Sequence, residues 1–294
     1  MEPGFSPSDI DTSRPHPARM YDFYLGGKDN YPVDREAARQ VLHAAPEGRD
    51  IARANRALLQ RIVRFLVGEA GIRQIIDIGT GIPGAGNVHE VAGEIAPATR
   101  VVYVDNDPIV HVHANALLTG SGHTRIVLAD LREPEQILAH PKTRDLIDFS
   151  QPVALLLVAI LPFITEDEDP AALVAALRDA LPPGSYLGLS HATNDFRTET
   201  AQVAAAVYDK ATSRATLRSH AQIAAFFGDW DLVPPGLVQV PLWRPDGPPP
   251  RPRDLQRMWI YGGVARRAGY PTGRPAPQPP VAGRATAPAA LHHS

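Results

Sequence analysis

The spacing of hydrophobic positions changes once along the chain, near residue 73. Between residues 34 and 70, apolar residues recur at intervals of three and four and Pro46 interrupts them, so this stretch predicts two helices. Beyond residue 73, short β-branched runs alternate with stretches of helical spacing. These runs predict strands at 75–78, 101–104, 125–129, 153–158 and 186–190. Nearly continuous apolar strands separated by helices indicate an α/β protein whose parallel sheet carries helices on both faces.

The last third of the ordered chain predicts a different strand arrangement. Two helices are expected at 198–211 and 220–227, followed by strands at 237–243 and 257–265. The Pro-rich loop between those strands suits an antiparallel pair rather than a crossover. The expected sheet therefore has about seven strands, five of them parallel, with a late pair that includes an antiparallel strand.

Composition divides the chain further and excludes several classes of protein. Residues 1–14 are rich in Pro, Ser and Asp, and residues 269–294 are dominated by Pro, Gly and Ala, so we expect both ends to be disordered. The ordered part then comprises a helical region over 15–73 and a sheet domain over 74–268. The formal charge of -3 gives no basic footprint for nucleic acid.

Cysteine usage and hydropathy exclude further kinds of site and protein. The chain has no Cys, which excludes disulfides and thiolate metal sites, and its His residues have no credible metal-ligand spacing, so we predict no metal. No apolar run reaches the roughly 18 residues that a membrane helix needs. We therefore expect a cytoplasmic protein without a membrane segment.

The strongest local signal is the glycine-rich turn that follows the first strand. Residues 75–78 lead into Gly79-Thr80-Gly81-Ile82-Pro83-Gly84, where missing Cβ atoms let a ligand approach the backbone. Asn87 and Glu90 have capping-box spacing, which predicts the start of the next helix. In open α/β sheets, this first turn is where a nucleotide-like ligand binds.

Two cofactors fit the turn, and one carboxylate favours one of them. Gly79, Gly81 and Gly84 satisfy the G-x-G-x-x-G fingerprint of NAD enzymes. Asp77, however, lies two residues before the first glycine, where a carboxylate repels a pyrophosphate and attracts the ammonium group of S-adenosylmethionine (SAM). Charge thus favours SAM over NAD, while a third interpretation leaves Asp77 as a cap for backbone amides.

Acidic residues also end the next two predicted strands. Asp105 lies where a carboxylate accepts both hydroxyls of an adenosine ribose, under either cofactor. Asp130 follows the third strand, where a carboxylate can accept from the adenine amino group. Asp107, just before Pro108, is expected to start a helix. Solvated loop acids are the alternative for each residue taken singly.

These motifs together resemble class I SAM-dependent methyltransferases. More narrowly, segments 19–31, 52–56, 77–83, 86–90, 102–108 and 189–192 are similar to an actinobacterial family of candidate SAM-dependent methyltransferases, formerly a domain of unknown function. The resemblance implies a Rossmann-like methyltransferase sheet, an N-terminal helical lid and a SAM-binding domain over 74–268. It implies SAM as cofactor and S-adenosylhomocysteine (SAH) as product, but it names no acceptor.

The resemblance also assigns cofactor contacts by position. They are Asp77, Gly79, Thr80, Gly81 and Asn87 around the glycine-rich turn, Asp105 at the ribose, Asn106, Asp130 and Leu131 at the adenine, and Val158 and Ala159 at the sulfonium.

Segment 19–31 mixes aromatic and polar residues with neither helical nor strand period. Its tyrosines are either packed anchors of an N-terminal arm or part of a lid that closes over SAM and excludes water. Tyr21, Tyr24, Lys28 and Asn30 are the lid and substrate candidates. Asn55 and Arg56, on a predicted helix, could reach the cofactor carboxylate, although a solvated helix face is the simpler interpretation for Arg56.

Methyl transfer is mostly a problem of positioning, and a general base helps if the acceptor is a hydroxyl. His191, at the end of the fifth strand, is the best-placed candidate base, with a structural role as the alternative. The leading hypothesis is a methyltransferase acting on a small molecule, as a monomer or homodimer. A non-catalytic SAM- or SAH-binding regulatory protein and an NAD-dependent oxidoreductase are its rivals.

Overall fold

The computed structural model describes residues 11–118, 122–248 and 250–269. Within these residues, eight strands form one mixed sheet in the order β3-β2-β1-β4-β5-β8-β6, with β7 beside β8. The strands are β1 (Gln74–Ile78), β2 (Arg100–Asp105), β3 (Thr124–Leu128), β4 (Ala154–Val158), β5 (Tyr186–Ala192), β6 (Asp231–Leu232), β7 (Val238–Gln239) and β8 (Ile260–Arg266).

The first five strands are parallel, and each begins within one residue of its predicted position. β8 runs antiparallel to β5, with Tyr186 opposite Arg266 and Ala192 opposite Ile260. The predicted strand over 237–243 is wrong beyond residue 239, because Pro241 has no N–H to donate and the chain turns into a 3-10 helix at Val240–Leu242. β6 has two residues, too few to leave a period in the sequence.

Helices cover both faces of the sheet and extend before it. They are α1 (Pro17–Leu25), α2 (Pro32–Ala44), α3 (Gly48–Arg64), α4 (Val88–Ile95), α5 (Pro108–Leu118), α6 (Pro134–Ala139), α7 (Pro141–Leu146), α8 (Pro170–Asp179), α9 (Thr198–Ala206), α10 (His220–Ala225) and α11 (Pro252–Leu255). The two helices predicted before the first strand are α2 and α3. Phe65–Glu69 extends α3 as a π-helical turn.

Helix α1 was not predicted, and its ends explain how it forms. The His16 ring accepts a hydrogen bond from the Ala18 N–H at 3.3 Å, and Pro17 occupies the first turn, where no N–H is needed. Gly26, with φ of 86°, closes the helix in the left-handed conformation. Segment 19–31, which shows no helical period in the sequence, is therefore helical up to residue 25.

Helix α3 positions the N-terminal helices over the sheet. Gly188 of β5 lies so close to α3 that a Cβ there would be 3.2 Å from Cγ2 of Ile62. The Arg61 guanidinium donates to the carbonyls of Val240 and Trp243 at 2.7 and 2.9 Å. These contacts fix α3 against strands and loops that are far away in sequence.

A buried ionic cluster joins α1 and α2 to the turn after β2. It comprises Arg19, Asp34 and Asp107, and the His16 ring lies beside it. Arg19 Nε lies 3.5 Å from Asp34 and 3.7 Å from Asp107, and His16 Nδ1 lies 3.1 Å from Asp107. Asp107 also caps α5 through the Ile109 N–H at 2.9 Å, as its sequence context predicts. The cluster thus fixes α1 beside the second acidic strand end.

The predicted disordered ends lie mostly outside the residues that the structure describes. Residues 1–10 and 270–294 lie outside the described residues. Residues 11–14 belong to the described part of the chain, where the Arg19 guanidinium donates to the carbonyls of Asp11 and Arg14 at 3.1 and 3.2 Å. Within the described ranges, none of the helices combines the length and apolarity required to cross a bilayer.

Candidate active site

A cavity of about 220 Å³ lies between the carboxyl ends of the parallel strands and the N-terminal helices. Its walls combine the glycine-rich turn, the acidic strand ends, α1 and α3. The predicted site residues that line it are Asp77, Gly79, Thr80, Gly81, Asp105, Asn106, Asp130, Leu131, Val158, Ala159, Tyr21 and Tyr24.

The glycine-rich turn is held in a shape that requires glycine. Gly79 has φ of 73°, and a Cβ there would lie 2.7 Å from the Ile160 side chain. Gly81 has φ of 67°, and its N–H donates to Asp105 Oδ2 at 2.8 Å. The Gly79 N–H donates to the Val104 carbonyl at 2.8 Å. The turn after β1 is thereby tied to the end of β2, and both border the cavity.

Two buried carboxylates face this cavity. Burial raises the pKa of Asp77 to about 6, although the Thr80 hydroxyl donates to it at 3.0 Å. Burial likewise raises the pKa of Asp105 to about 7, against the N–H groups of Asp107 and Gly81 at 2.9 and 2.8 Å. Neither has an ion-pair partner among the described residues. A ligand that brings a cation or hydroxyl donors would satisfy both.

Asp130, the third acidic residue, has charged and polar partners that Asp77 and Asp105 lack. Asp130 accepts from the Asn106 side-chain amide at 2.8 Å and pairs with the Arg132 guanidinium at 3.1 Å. Arg132 also pairs with Glu168, whose pKa is about 2 because of the hydrogen bonds from Arg132 and Thr165, although burial opposes this shift. Asp130 is therefore already neutralised in part, and it offers an acceptor oxygen at the cavity edge rather than an unpaired charge.

A chain of hydrogen bonds connects α1 to the end of β4 across the cavity. The Asn55 amide donates to the Tyr21 hydroxyl at 3.0 Å, and Asn55 accepts from the Ser190 hydroxyl at 2.6 Å. Ser190 in turn accepts from the Ala159 N–H at 3.1 Å. Ala159 has φ of 57°, a left-handed conformation that costs a non-glycine residue free energy and is concentrated at functional sites.

Three predicted contacts lie outside the cavity lining. Lys28 is exposed to solvent. Asn30 is buried, and its amide donates to Asp22 at 2.6 Å, so it shapes the turn after α1. Asn87 begins α4 and accepts from the Arg56 guanidinium at 2.9 Å. Arg56 itself lines the cavity instead of lying on a solvated face.

The structure does not place His191 at the site. Side chains alternate along β5, so Ser190 faces α3 while His191 faces the opposite side, fully buried and stacked on Phe226. Its Nε2 lies 2.9 Å from an Arg218 nitrogen, which can only donate, and its Nδ1 lies 2.6 Å from the Ala192 carbonyl. Burial lowers the pKa of His191 to about 3. Both ring nitrogens are engaged away from the cavity, which corrects its assignment as a base.

Several cavity residues carried no signal in the sequence. They come from distant segments, and most are apolar, so nothing in their local pattern separates them from core residues. The principal ones are His16, Ile51, Arg132, Phe163, Ala201, Ala204, Tyr208 and Trp259. Within the described residues, no group of three His, Asp or Glu side chains could hold a metal ion.

The sheet order, the glycine-rich turn and the acids at the carboxyl ends of three successive strands define a methyltransferase-like fold with an N-terminal helical cover. The chain belongs to the S-adenosyl methyltransferase family, whose model matches residues 4–268. This membership confirms the resemblance seen in the sequence and the class of enzyme that it implies, a SAM-dependent methyltransferase.

Two solved structures support the same assignment. A candidate methyltransferase from Thermobifida fusca YX is 41% identical, with a TM-score of 0.85 over 91% of this chain and 100% of that chain. A DUF574 family protein from Streptomyces avermitilis MA-4680 is 42% identical, with a TM-score of 0.84 over 88% of this chain and 99% of that chain. No curated protein matches the chain in sequence.

Proposed function

We propose that the protein binds SAM in this cavity and transfers its methyl group to a small-molecule acceptor. One observation carries the proposal: Asp77 and Asp105 present two buried carboxylates, without ion-pair partners among the described residues, on either side of a glycine turn. A buried carboxylate is stabilised when a ligand supplies a charge or hydrogen-bond donors.

The polar residues of the cavity fit the successive parts of SAM. Asp77 would accept from the ammonium of the methionyl group, and Asp105 from the ribose hydroxyls. Asp130 and Asn106, joined by a 2.8 Å hydrogen bond, would border the adenine with Leu131. Glycine at position 81, where an added Cβ would have no atom within 4 Å, leaves the backbone open between the first two groups. This order follows the cavity from β1 to β3.

When bound, SAM supplies an electrophilic methyl group: the carbon–sulfur bond breaks with its electron pair going to sulfur, and an acceptor lone pair forms the new bond. The chain contributes position and exclusion of water. Asn55, fixed between Tyr21 and Ser190, holds α1 and α3 against the strand ends.

The rival functions have weaker support. A regulatory SAM-binding protein needs only the cofactor end, whereas this cavity continues past Asn55 to Tyr24 and Tyr208. An NAD enzyme would place a pyrophosphate at the glycine turn, where the Asp77 carboxylate would repel it.

Isothermal titration with SAM, SAH and NADH tests the cofactor. We expect SAM and SAH to bind and NADH not to bind. Replacing Asp77 by Asn should weaken SAH binding about 10- to 150-fold, the range for losing a charge-assisted hydrogen bond. The control Asp179→Asn changes a carboxylate that is 72% exposed and does not line the cavity, and it should leave binding unchanged. Binding of NADH alone would overturn the proposal.

A further inference from the structure

One part of the cavity wall includes none of the predicted cofactor contacts. We call it the acceptor chamber and define it by Tyr24, Phe163, Ala201, Ala204, Tyr208 and Trp259, all of which line the cavity. Given the proposed function, on which this inference rests, we propose that the acceptor chamber takes an uncharged, flat aromatic molecule that bears a hydroxyl or carbonyl group.

The position of the chamber follows from α1. Tyr21 is hydrogen-bonded to Asn55 and thereby marks the cofactor end. Tyr24 lies one turn further along the same helix, so its side chain points to the same side, about 5 Å further along the axis. Its hydroxyl lies 3.1 Å from that of Tyr208, which brings the end of α9 to the far wall.

The charged side chains of the cavity either have protein partners or lie beside the glycine turn, and Arg132 comes nearest to the chamber because it donates to the Phe163 carbonyl at 3.1 Å. Arg56 donates to Asn87, and Arg132 is paired with Asp130. Asp77 and Asp105 flank the glycine turn. The side chains that define the acceptor chamber are neutral, so an ionic acceptor would lose its hydration without gaining a partner of opposite charge.

The phenols of the chamber remain neutral near pH 7. Burial raises the pKa of Tyr208 to about 12 and that of Tyr24 well above its ordinary value. The bond between their hydroxyls uses one of their two protons. The other proton is available to an oxygen on the acceptor, which gives the chamber one neutral recognition point.

The remaining walls suit a flat molecule. Ala201 and Ala204 lie three residues apart on α9, on one face of the helix, and both are buried. Their small methyl groups line the same cavity as the rings of Phe163 and Tyr208, whose centroids are 5.4 Å apart and whose planes are inclined at 50°. Aromatic ligands gain favourable stacking or edge contacts against such rings.

A charge-matched set of probes tests the inference in the SAH-loaded protein. The probes are 2-naphthol, 2-naphthoate and 2-naphthylmethylammonium, titrated calorimetrically at pH 7. We expect 2-naphthol to bind at least ~10-fold more tightly than either ion, because only the ions carry an uncompensated desolvation cost. Equal or tighter binding of either ion would overturn the inference.

Two variants locate the probe in the chamber. Tyr208→Phe should weaken 2-naphthol about 3- to 10-fold through the lost hydroxyl. Ala204→Leu should fill the chamber and abolish 2-naphthol binding, whereas the control Val203→Leu, at a neighbouring position that is 57% exposed, should not. All three variants should bind SAH as the native protein does.

The outcomes separate this inference from the proposed function. If the native protein does not bind SAH, the proposed function fails. If SAH binds but 2-naphthol is unaffected by both Tyr208→Phe and Ala204→Leu, the cofactor assignment stands and the acceptor chamber is wrong.

Discussion

The affinity for SAH should increase steeply with pH between 5.5 and 7.0. In the free protein, burial raises the pKa of Asp77 to about 6 and that of Asp105 to about 7, so both carboxyls are partly protonated in this range. An ammonium and ribose hydroxyls donate to ionised carboxylates, so binding must lower both pKa values. Protons are then released on binding, and affinity increases as the pH rises.

The size of the effect follows from those pKa values. If the complex requires both carboxylates ionised, the dissociation constant should fall roughly 60-fold between pH 5.5 and 7.0. Asp105 alone would give about 16-fold and Asp77 alone about 4-fold. The range ends at pH 7.0 so that the ligand's amino group stays protonated throughout the titration.

Calorimetric titration in two buffers with different ionisation enthalpies measures both the dissociation constant and the number of protons released. Asp77→Asn should reduce the pH effect to about 16-fold, the share of Asp105. His16 also lines the cavity, but burial lowers its pKa, and His16→Asn should leave the pH effect in place. An affinity that is constant or falls with rising pH, or proton uptake on binding, would refute the reasoning.

Three further predictions concern stability and binding together. Gly79→Ala should lower the free energy of unfolding in urea by more than Gly81→Ala does. Both substitutions cost about 1 to 2 kcal/mol because the backbone is left-handed, but only the new Cβ at position 79 would also clash, with Ile160. Equal losses would contradict the geometry of the turn. His191→Gln should lower the free energy of unfolding by about 1 to 3 kcal/mol and leave the SAH dissociation constant unchanged; weaker SAH binding would return His191 to the site. Asp34→Asn should lower the free energy of unfolding by about 3 to 5 kcal/mol, because it leaves the buried Arg19 without that partner. An unchanged free energy in urea unfolding would show that the buried ionic cluster does not hold α1.

Much of the fold could be predicted because the parallel strands are buried on both faces. All five residues of β1 are buried, and such runs stand out from any helical period. α1 could not be predicted in the same way, because its buried residues include Arg19 as well as Met20 and Tyr24. Its signals are a histidine cap and a glycine end, which are recognisable only when the helix is already suspected.

The cofactor end of the site was predictable because strand topology brings consecutive strand ends together. Asp77, Asp105 and Asp130 are distant in sequence but lie at or just after the carboxyl ends of three adjacent strands. The prediction of His191 as a base depended on the register of β5, because a shift of one residue along the strand moves a side chain to the opposite face of the sheet. Tyr208 could not be found, because its place opposite Tyr24 depends on how α9 packs against the N-terminal helices.

A crystal structure of the SAH complex tests the central claim most directly. The account predicts SAH inside the cavity, with both ribose hydroxyls within hydrogen-bonding distance of Asp105, the ammonium facing Asp77 and the adenine between Asn106 and Leu131. SAH bound in the reverse direction, or outside the cavity while Asp77 and Asp105 keep only their present backbone and Thr80 partners, would contradict it.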